Sequence, residues 1–147
     1  MKCLLILLSL AALTSAQGQS QCQCGAFVND RIGEIEVFPF QPIDVESCED
    51  SETCSSTCDD EWASITNNGD LDTVLDNGET VGQHICNALA REGHENYGPG
   101  EVFLYYKVCD GPWQYDDEQS TLEICCTGGQ YHACNNPPTR PPVIKSL

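Results

Sequence analysis

Residues 101–109 read EVFLYYKVC and form the strongest strand signal in the chain. β-Branched and aromatic side chains fill most of the segment, and these residue types favour a pleated, half-buried strand. Downstream, residues 122–126 and 131–134 flank Gly128-Gly129, a pattern that predicts a hairpin with the two glycines at its turn. The second half of the chain therefore predicts an antiparallel sheet.

An earlier strand is predicted within residues 24–40. Acidic and apolar side chains alternate between residues 32 and 38, which is the period of two of a half-buried strand. Pro39 and Pro42 end the pattern, because proline cannot donate a backbone hydrogen bond to a neighbouring strand.

Two helices are predicted between these strands. The first covers residues 51–66, where one face carries, at spacings of four, four and three, Cys54, Cys58, Trp62 and Ile65. The second begins at a capping box over residues 80–83, and its inner face carries Ile85, Cys86 and Leu89. Asn68-Gly69 ends the first helix and Gly93 ends the second. The prediction is an α+β fold, a small disulfide-rich domain with two short helices and an antiparallel sheet.

Residues 1–16 have the pattern of a secretory signal peptide. A basic residue precedes an apolar run of about 11 residues, and small side chains follow at the cleavage positions. That run is shorter than the ~20 residues needed to cross a bilayer. We therefore expect a secreted, extracellular protein with a disulfide-rich domain over residues 17–134. Residues 135–147 carry four prolines and no acidic residue, and we expect a Pro-rich disordered tail there.

The cysteine count supports this interpretation. The chain has 11 cysteines, and loss of Cys3 with the signal peptide would leave an even set. In an oxidising compartment such a set predicts a disulfide framework, and the sequence alone cannot choose its pairing. The disulfide cysteines expected are Cys22, Cys24, Cys48, Cys54, Cys58, Cys86, Cys109, Cys125, Cys126 and Cys134.

Sequence spacing restricts the possible disulfide partners of two pairs of these cysteines. Cys54 and Cys58 lie one helical turn apart and point the same way, so each should bond to a partner elsewhere. Cys125 and Cys126 are neighbours in a strand and point to opposite sides, so they could tie the hairpin to elements on both faces. The spacings lack the paired C-x2-C pattern of a zinc site, and we expect no bound metal cofactor.

The charge is strongly negative. The chain has 23 acidic and six basic residues, for a formal net charge of −17. Such a surface repels nucleic acid and anionic membranes and favours cationic partners. A solvated surface explains most of these carboxylates equally well.

No catalytic residue is predicted. His84, His94 and His132 are interpreted as ordinary surface residues. A secreted phospholipase A2 is the nearest enzymatic alternative, but Cys125-Cys126 is followed by a turn and His132 by alanine instead of an acid. Calcium is the most credible small ligand, because carboxylates cluster between the helices at Asp70, Asp72, Asp76 and Glu79. Their spacing does not match an EF-hand, so only weak calcium binding is expected.

The order of the cysteines and aromatic residues resembles the arthropod follicle cell protein 3C family. The resemblance covers residues 22–134 and consists of Cys22-x-Cys24-Gly-x-Phe27, Cys48-x5-Cys54-x3-Cys58, the aromatic strand 103–109 followed by Trp113, and Cys125-Cys126-x7-Cys134. The chain departs from that family at residues 98–101, where members tend to carry another cysteine. The resemblance implies a small secreted protein of the eggshell or extracellular matrix, and it carries over no catalytic residue.

We therefore expect a non-enzymatic structural or interaction protein whose partner is an extracellular protein or the matrix. A secreted binding module, either calcium-dependent or a regulator of another extracellular protein, is the alternative.

Overall fold

The computed structural model describes residues 20–135. The expected signal peptide, residues 1–16, and the expected tail, apart from Asn135, lie outside the described residues. The helices are α1 (Ser51–Thr66) and α2 (Val81–Arg91). The strands are β1 (Gln21–Asp30), β2 (Gly33–Pro39), β3 (Ile43–Asp44), β4 (Tyr97–Gly100), β5 (Val102–Val108), β6 (Gln114–Gln119), β7 (Ile124–Thr127) and β8 (Gln130–His132).

The strands form two antiparallel sheets. The large sheet has the order β2-β1-β5-β6, and β3 pairs with the beginning of β1. The small sheet has the order β4-β7-β8. Helix α1 packs against β5 and β1 of the large sheet, and α2 packs against β2 and β8. The predicted α+β fold with two helices and antiparallel pairing is confirmed.

The segment 24–40 was predicted as a strand ended by proline, and it is instead a hairpin. Strands β1 and β2 pair antiparallel around a turn at Arg31-Ile32, and the Ile32 side chain is 88% exposed. Asp30 starts the turn, because its Oδ1 accepts a hydrogen bond of 2.7 Å from the backbone N–H of Arg31. The sequence pattern missed this turn because Ile32 has the composition of a strand residue.

The later strands follow the prediction more closely. Strand β5 lies within the predicted segment 101–109, and β7 and β8 form the predicted hairpin. Strand β6 was not predicted, because its sequence QYDDEQ is acidic and carries few side chains that favour strands. Strand β4 was also missed, since its sequence YGPG resembles a turn.

Both helices were located correctly, and their ends have local causes. Thr80 caps α2, since its side chain accepts a hydrogen bond of 3.0 Å from the backbone N–H of Gln83. Asn67 ends α1 in the left-handed conformation, with φ of 50°. Neither helix is long and apolar enough to cross a membrane, within the part of the chain that the structure describes.

Five disulfides join the ten cysteines of residues 20–135, and two of them fasten α1 to β1. Alternate residues of a strand share a face, as do residues one turn apart on a helix, so the pairs Cys22–Cys54 and Cys24–Cys58 lie side by side. Each of these bonds joins α1 to another element, as predicted for Cys54 and Cys58. The other pairs are Cys48–Cys109, Cys86–Cys126 and Cys125–Cys134.

The expectation for Cys125 and Cys126 was right for one of them. Cys126 bonds to Cys86 and so ties the hairpin to α2. Cys125 bonds to Cys134, nine residues further on, and closes the hairpin on itself. The two side chains diverge as neighbours in a strand do, but only one side of the hairpin faces another element.

The core lies between the inner face of the large sheet and the helices. Inner side chains of β1 and β5 alternate with outer ones, and Ala26, Val28, Val102 and Leu104 are fully buried. Trp62 is the largest buried side chain, and it lies on the α1 face that also carries Cys54 and Cys58. Because the helices cover this face, the opposite face of the sheet is left for solvent or partners.

Candidate functional site

The outer face of the large sheet carries a row of packed aromatic side chains. Phe27 of β1 contacts Tyr105 of β5 and Trp113, with ring centroids 5.1 and 5.0 Å apart. Tyr115 of β6 continues the row and lies 5.7 Å from Tyr105 and 5.8 Å from Phe103. These residues project away from the core because they alternate with the buried positions of the same strands. Phe27 is buried among these rings, Phe103, Tyr105 and Trp113 are partly buried, and Tyr115 is exposed, so part of this aromatic surface is available for contact with a partner.

A groove of about 370 Å³ lies at one end of this aromatic row. One side is formed by the end of β2 and the segment after it, with Pro39, Phe40 and Pro42, and Trp113 belongs to the other side. The remaining lining residues are Gln23, Cys24, Glu36 and Lys107. We call this feature the Trp113 groove. An apolar wall with a few polar groups is the usual composition of a binding site.

Gly25 of β1 determines where the Trp113 ring lies. A Cβ atom at this position would be 3.2 Å from Cη2 of Trp113 and 2.9 Å from Cε2 of Phe27. Such contacts are closer than van der Waals packing allows, so the missing side chain lets both rings pack over the backbone of β1. In the sequence, Gly25 is only one residue of the cysteine motif Cys22-x-Cys24-Gly-x-Phe27.

The groove contains one acidic and one basic side chain. The Lys107 ammonium lies 5.1 Å from the centroid of the Trp113 ring, in the arrangement of a cation–π contact. Burial raises the pKa of Glu36, and the positive charge of Lys107 opposes that increase. A cationic group entering the groove would therefore meet one carboxylate beside the Lys107 ammonium.

A second acidic side chain supports the aromatic row from β2. The Tyr105 hydroxyl donates a hydrogen bond of 2.6 Å to Oε1 of Glu34. That bond raises the pKa of Tyr105 to about 12, so the hydroxyl remains a donor at physiological pH. The bond links β5 to β2 across β1 and fixes the position of the ring.

Three of the four carboxylates of the expected calcium site take separate hydrogen bonds. Asp70 accepts from the backbone N–H of Asp72 at 2.9 Å, and Asp72 accepts from the Tyr131 hydroxyl at 2.9 Å. Glu79 accepts from Asn77, Asn87 and His84, whereas Asp76 is exposed. Within residues 20–135, no three of these carboxylates converge. Weak calcium binding at this loop stays a prediction.

The one convergent set of metal-binding residue types in residues 20–135 consists of Cys22, Cys54 and Cys58. Their sulfur atoms lie within 4.8 Å of one another because two disulfides are adjacent there, and all three residues are fully buried. A sulfur atom in a disulfide is not a thiolate and does not ligate zinc. These sulfur atoms therefore belong to the covalent framework.

The histidines face polar groups that the sequence did not indicate. His84 Nδ1 lies 2.8 Å from Oε1 of Glu79, and His94 Nδ1 lies 3.5 Å from Oδ2 of Asp30. His132 Nε2 lies 2.9 Å from the Thr127 hydroxyl. None of the three belongs to the lining of the Trp113 groove. Both histidine–carboxylate pairs arise from tertiary or cap contacts, so sequence spacing could not have identified them.

The aromatic row and the Trp113 groove bring together residues from β1, β2, β5 and the segment before β6. Of the residues predicted to be functional, only Cys24 belongs to the groove. The chain was also compared with protein-family models, curated proteins and solved structures. None of the three comparisons finds a match.

Proposed function

We propose that the chain is a non-enzymatic structural or interaction protein of the extracellular matrix or eggshell, and that it binds its partners through the Trp113 groove. The single observation that carries this proposal is the groove itself. It combines an indole ring, a phenyl ring, two prolines and a carboxylate beside the outer face of the large sheet. Aromatic side chains in such a setting contribute most of the binding energy of protein interfaces.

The disulfide framework supports an extracellular location. Five disulfides within residues 20–135 require an oxidising compartment to form and persist. The same framework supports a non-enzymatic role, because each cysteine of these residues is half of a disulfide and supplies no thiolate nucleophile. The eggshell and matrix assignment rests on the resemblance of the cysteine and aromatic pattern.

The charge of the protein supports a cationic partner. All 23 acidic residues of the chain fall within residues 20–135, where three basic residues are also found. An acidic surface of this kind attracts basic partners and speeds their association at low salt. Glu36 within the groove provides a local contact for a cationic side chain.

Replacing Trp113 with alanine is expected to reduce retention of the protein in extracellular matrix. Truncating a central aromatic side chain of an interface commonly costs about 2 kcal/mol or more, so retention should fall at least tenfold. The measurement is the fraction of tagged, secreted protein that remains in the insoluble matrix of cultured cells after washing. The matched control is Ile32→Ala, which removes an exposed apolar side chain at the β1–β2 turn.

Full recovery of the wild-type protein in the soluble medium would contradict the matrix role. Equal retention of the wild type and of Trp113→Ala would contradict the proposal that the Trp113 groove binds the partner. Circular dichroism of both variants would show that neither result comes from unfolding.

A further inference from the structure

We propose that Asp59 of α1 and Asp116 of β6 bind a calcium ion between the helix and the edge of the large sheet, with the Ser55 hydroxyl as a third oxygen ligand. The inference goes beyond the proposed function, because the Trp113 groove takes no part in it. Three observations carry it: the meeting of these side chains, two buried carboxylate oxygens without a hydrogen-bond partner, and the lack of a basic residue beside them.

The three side chains meet where α1 packs against β6. Ser55 and Asp59 are four residues apart on α1 and therefore lie on the same face of the helix. Asp116 approaches them from β6, and its Oδ1 accepts a hydrogen bond from the Ser55 hydroxyl. The Asp59 carboxyl is also close enough to Asp116 for a hydrogen bond between the two acids. Oxygen atoms from two elements thus converge at one point.

Two of these oxygens are buried and unsatisfied. Asp116 is 8% exposed, and in the described part of the chain its Oδ2 and the Oδ1 of Asp59 have no hydrogen-bond partner. Buried carboxylate oxygens in folded proteins normally accept hydrogen bonds, because an unpaired buried charge is strongly unfavourable. A deprotonated carboxylate cannot donate, so two of them side by side repel each other. The pair therefore needs a proton or a cation between its oxygens.

The protein supplies no positive charge at this place. Residues 20–135 contain three basic residues, Arg31, Arg91 and Lys107, and none of them forms an ion pair with either aspartate. The charges that act on Asp116 belong to Asp59 and Glu118, which are both acidic. A positive charge that balances the two carboxylates has to come from solution.

Calcium matches these ligands better than other common metal ions. It binds carboxylate, hydroxyl and water oxygens in flexible geometry, whereas magnesium demands a near-octahedral shell and gives up its water reluctantly. Zinc is bound mainly by cysteine and histidine, and this site has neither. Because two carboxylates and one hydroxyl leave several positions for water, we expect the weak affinity of extracellular calcium sites, with a Kd of about 10⁻⁴–10⁻³ M.

The site is open to an ion on the helix side. Ser55 and Asp59 are partly exposed, whereas Asp116 is buried beneath them. Exposed Glu118 adds negative charge that attracts a cation toward this opening. The Ser55 hydroxyl can donate to Asp116 and still offer a lone pair to the ion.

This site differs from both sets of residues considered above. It does not include the loop carboxylates between the helices, which do not converge. It holds two residues of metal-binding type, fewer than the three cysteines of the adjacent disulfides, but its oxygens can ligate an ion and disulfide sulfur atoms cannot. Sequence spacing could not indicate the site, because Asp59 and Asp116 are far apart in the chain.

Thermal melts of the full-length secreted protein at pH 8 test the proposal. This pH lies above the pKa of about 7 that burial gives Asp116, so a proton does not occupy the pair. Relative to EDTA at equal ionic strength, about 10 mM calcium should raise the melting temperature by about 5 °C. Asp59→Asn and Asp116→Asn each remove one charged ligand and should reduce this rise to less than half. The control Asp117→Asn should keep the full rise, because Asp117 is an exposed neighbour in the same strand.

The order of melting temperatures guards against misfolded variants. In EDTA at pH 8, Asp116→Asn should melt above the wild type, since it has one less charge to bury. Added calcium should close that gap by stabilising the wild type alone. A variant that is damaged by its substitution would melt lower under both conditions.

Terbium luminescence locates the ion. Terbium is a hard cation with the same preference for oxygen ligands, and it luminesces when a nearby tryptophan is excited. Trp62 follows Asp59 by three residues and is its neighbour on the surface of α1. The variant Trp113→Ala leaves Trp62 as the single tryptophan of the chain and should give a signal that calcium displaces. Adding Asp116→Asn to this variant should weaken terbium binding at least tenfold, because the charge of the ligands sets the affinity.

Three results would overturn the inference. A wild type that calcium does not stabilise at pH 8 would show that the pair is satisfied without a metal ion. Equal stabilisation of the wild type and Asp116→Asn would place calcium on the general acidic surface. Terbium luminescence that does not depend on Asp116 would also place the ion elsewhere. None of these results concerns retention through Trp113, so the proposed function stands or fails separately.

Discussion

Removing both disulfides that join β1 to α1 is expected to cost more than twice the free energy of unfolding lost when either one is removed. The variants are Cys22→Ala/Cys54→Ala, Cys24→Ala/Cys58→Ala, and the combination of all four substitutions. In the chain-entropy model each single removal costs about 2.5 kcal/mol and the combined removal about 6 kcal/mol. Because domains of this size have a total stability of about 5–15 kcal/mol, the combined variant should be largely unfolded or close to it.

The reason is that the two bonds are adjacent. While Cys24–Cys58 is intact, Cys22–Cys54 closes only a small additional ring, since the cysteines are two residues apart in β1 and four apart in α1. When neither bond is present, the whole loop from β1 to α1 regains its freedom. Urea titrations followed by circular dichroism measure the three losses. Losses that simply add would show that the two bonds act independently.

The stability of the protein is expected to fall as the pH rises through neutrality, because of a buried carboxyl pair between α1 and β6. Asp116 of β6 is 8% exposed, and its Oδ1 accepts a hydrogen bond from the Ser55 hydroxyl of α1. Within residues 20–135, Asp116 Oδ2 and Asp59 Oδ1 are buried without a hydrogen-bond partner. Burial, together with the nearby charges of Asp59 and Glu118, raises the pKa of Asp116 to about 7. The hydrogen bond from Ser55 acts in the opposite direction and lowers this pKa.

The direction follows from this pKa. The folded protein holds the Asp116 proton up to about pH 7, whereas the unfolded chain releases it near the ordinary value of 3.8. The stabilisation from this group is thus complete below pH 3.8 and is lost as the pH rises through about 7. Asp116→Asn keeps an acceptor for Ser55 and has no charge to bury, so it should melt several degrees above the wild type at pH 8.

Thermal melts of the wild type and Asp116→Asn between pH 5 and 8 measure this difference. Asp117→Asn is the control, because it removes the charge of an exposed neighbour in the same strand. The two melting temperatures could instead change in parallel across this range. That result would contradict a raised pKa of the Asp116 carboxyl, buried beside Asp59.

The sequence predicted the elements whose local pattern is strong. Helix α1 was recognised because Cys54, Cys58 and Trp62 mark one face, and β5 because its aromatic and β-branched residues leave little alternative. Strand β6 was missed because its strand conformation is imposed by pairing with β5 across the sheet. Its acidic residues show no intrinsic preference for a strand.

The candidate site was harder to predict than the fold. Trp113 is far in the chain from Glu36 and Phe40 and meets them only when β2, β1 and β5 are aligned in one sheet. Gly25 is equally uninformative in the sequence, although the position of the Trp113 ring depends on it. The carboxylates of the expected calcium cluster are close in sequence but do not converge within residues 20–135, and sequence spacing alone could not show this.

The order of the disulfides limits how far the protein can be stretched even after it unfolds. The shortest covalent route from Cys22 to Cys134 crosses to Cys54, runs back to Cys48, crosses to Cys109, continues to Cys125 and crosses to Cys134. Only the backbone segments 48–54 and 109–125 lie on that route, so an unreduced chain extends to roughly 90 Å between these two cysteines, compared with roughly 400 Å after reduction. A pulling force between these two cysteines would be carried by sulfur–sulfur bonds and short backbone segments, which sets a fixed upper limit on the extension of the unreduced chain.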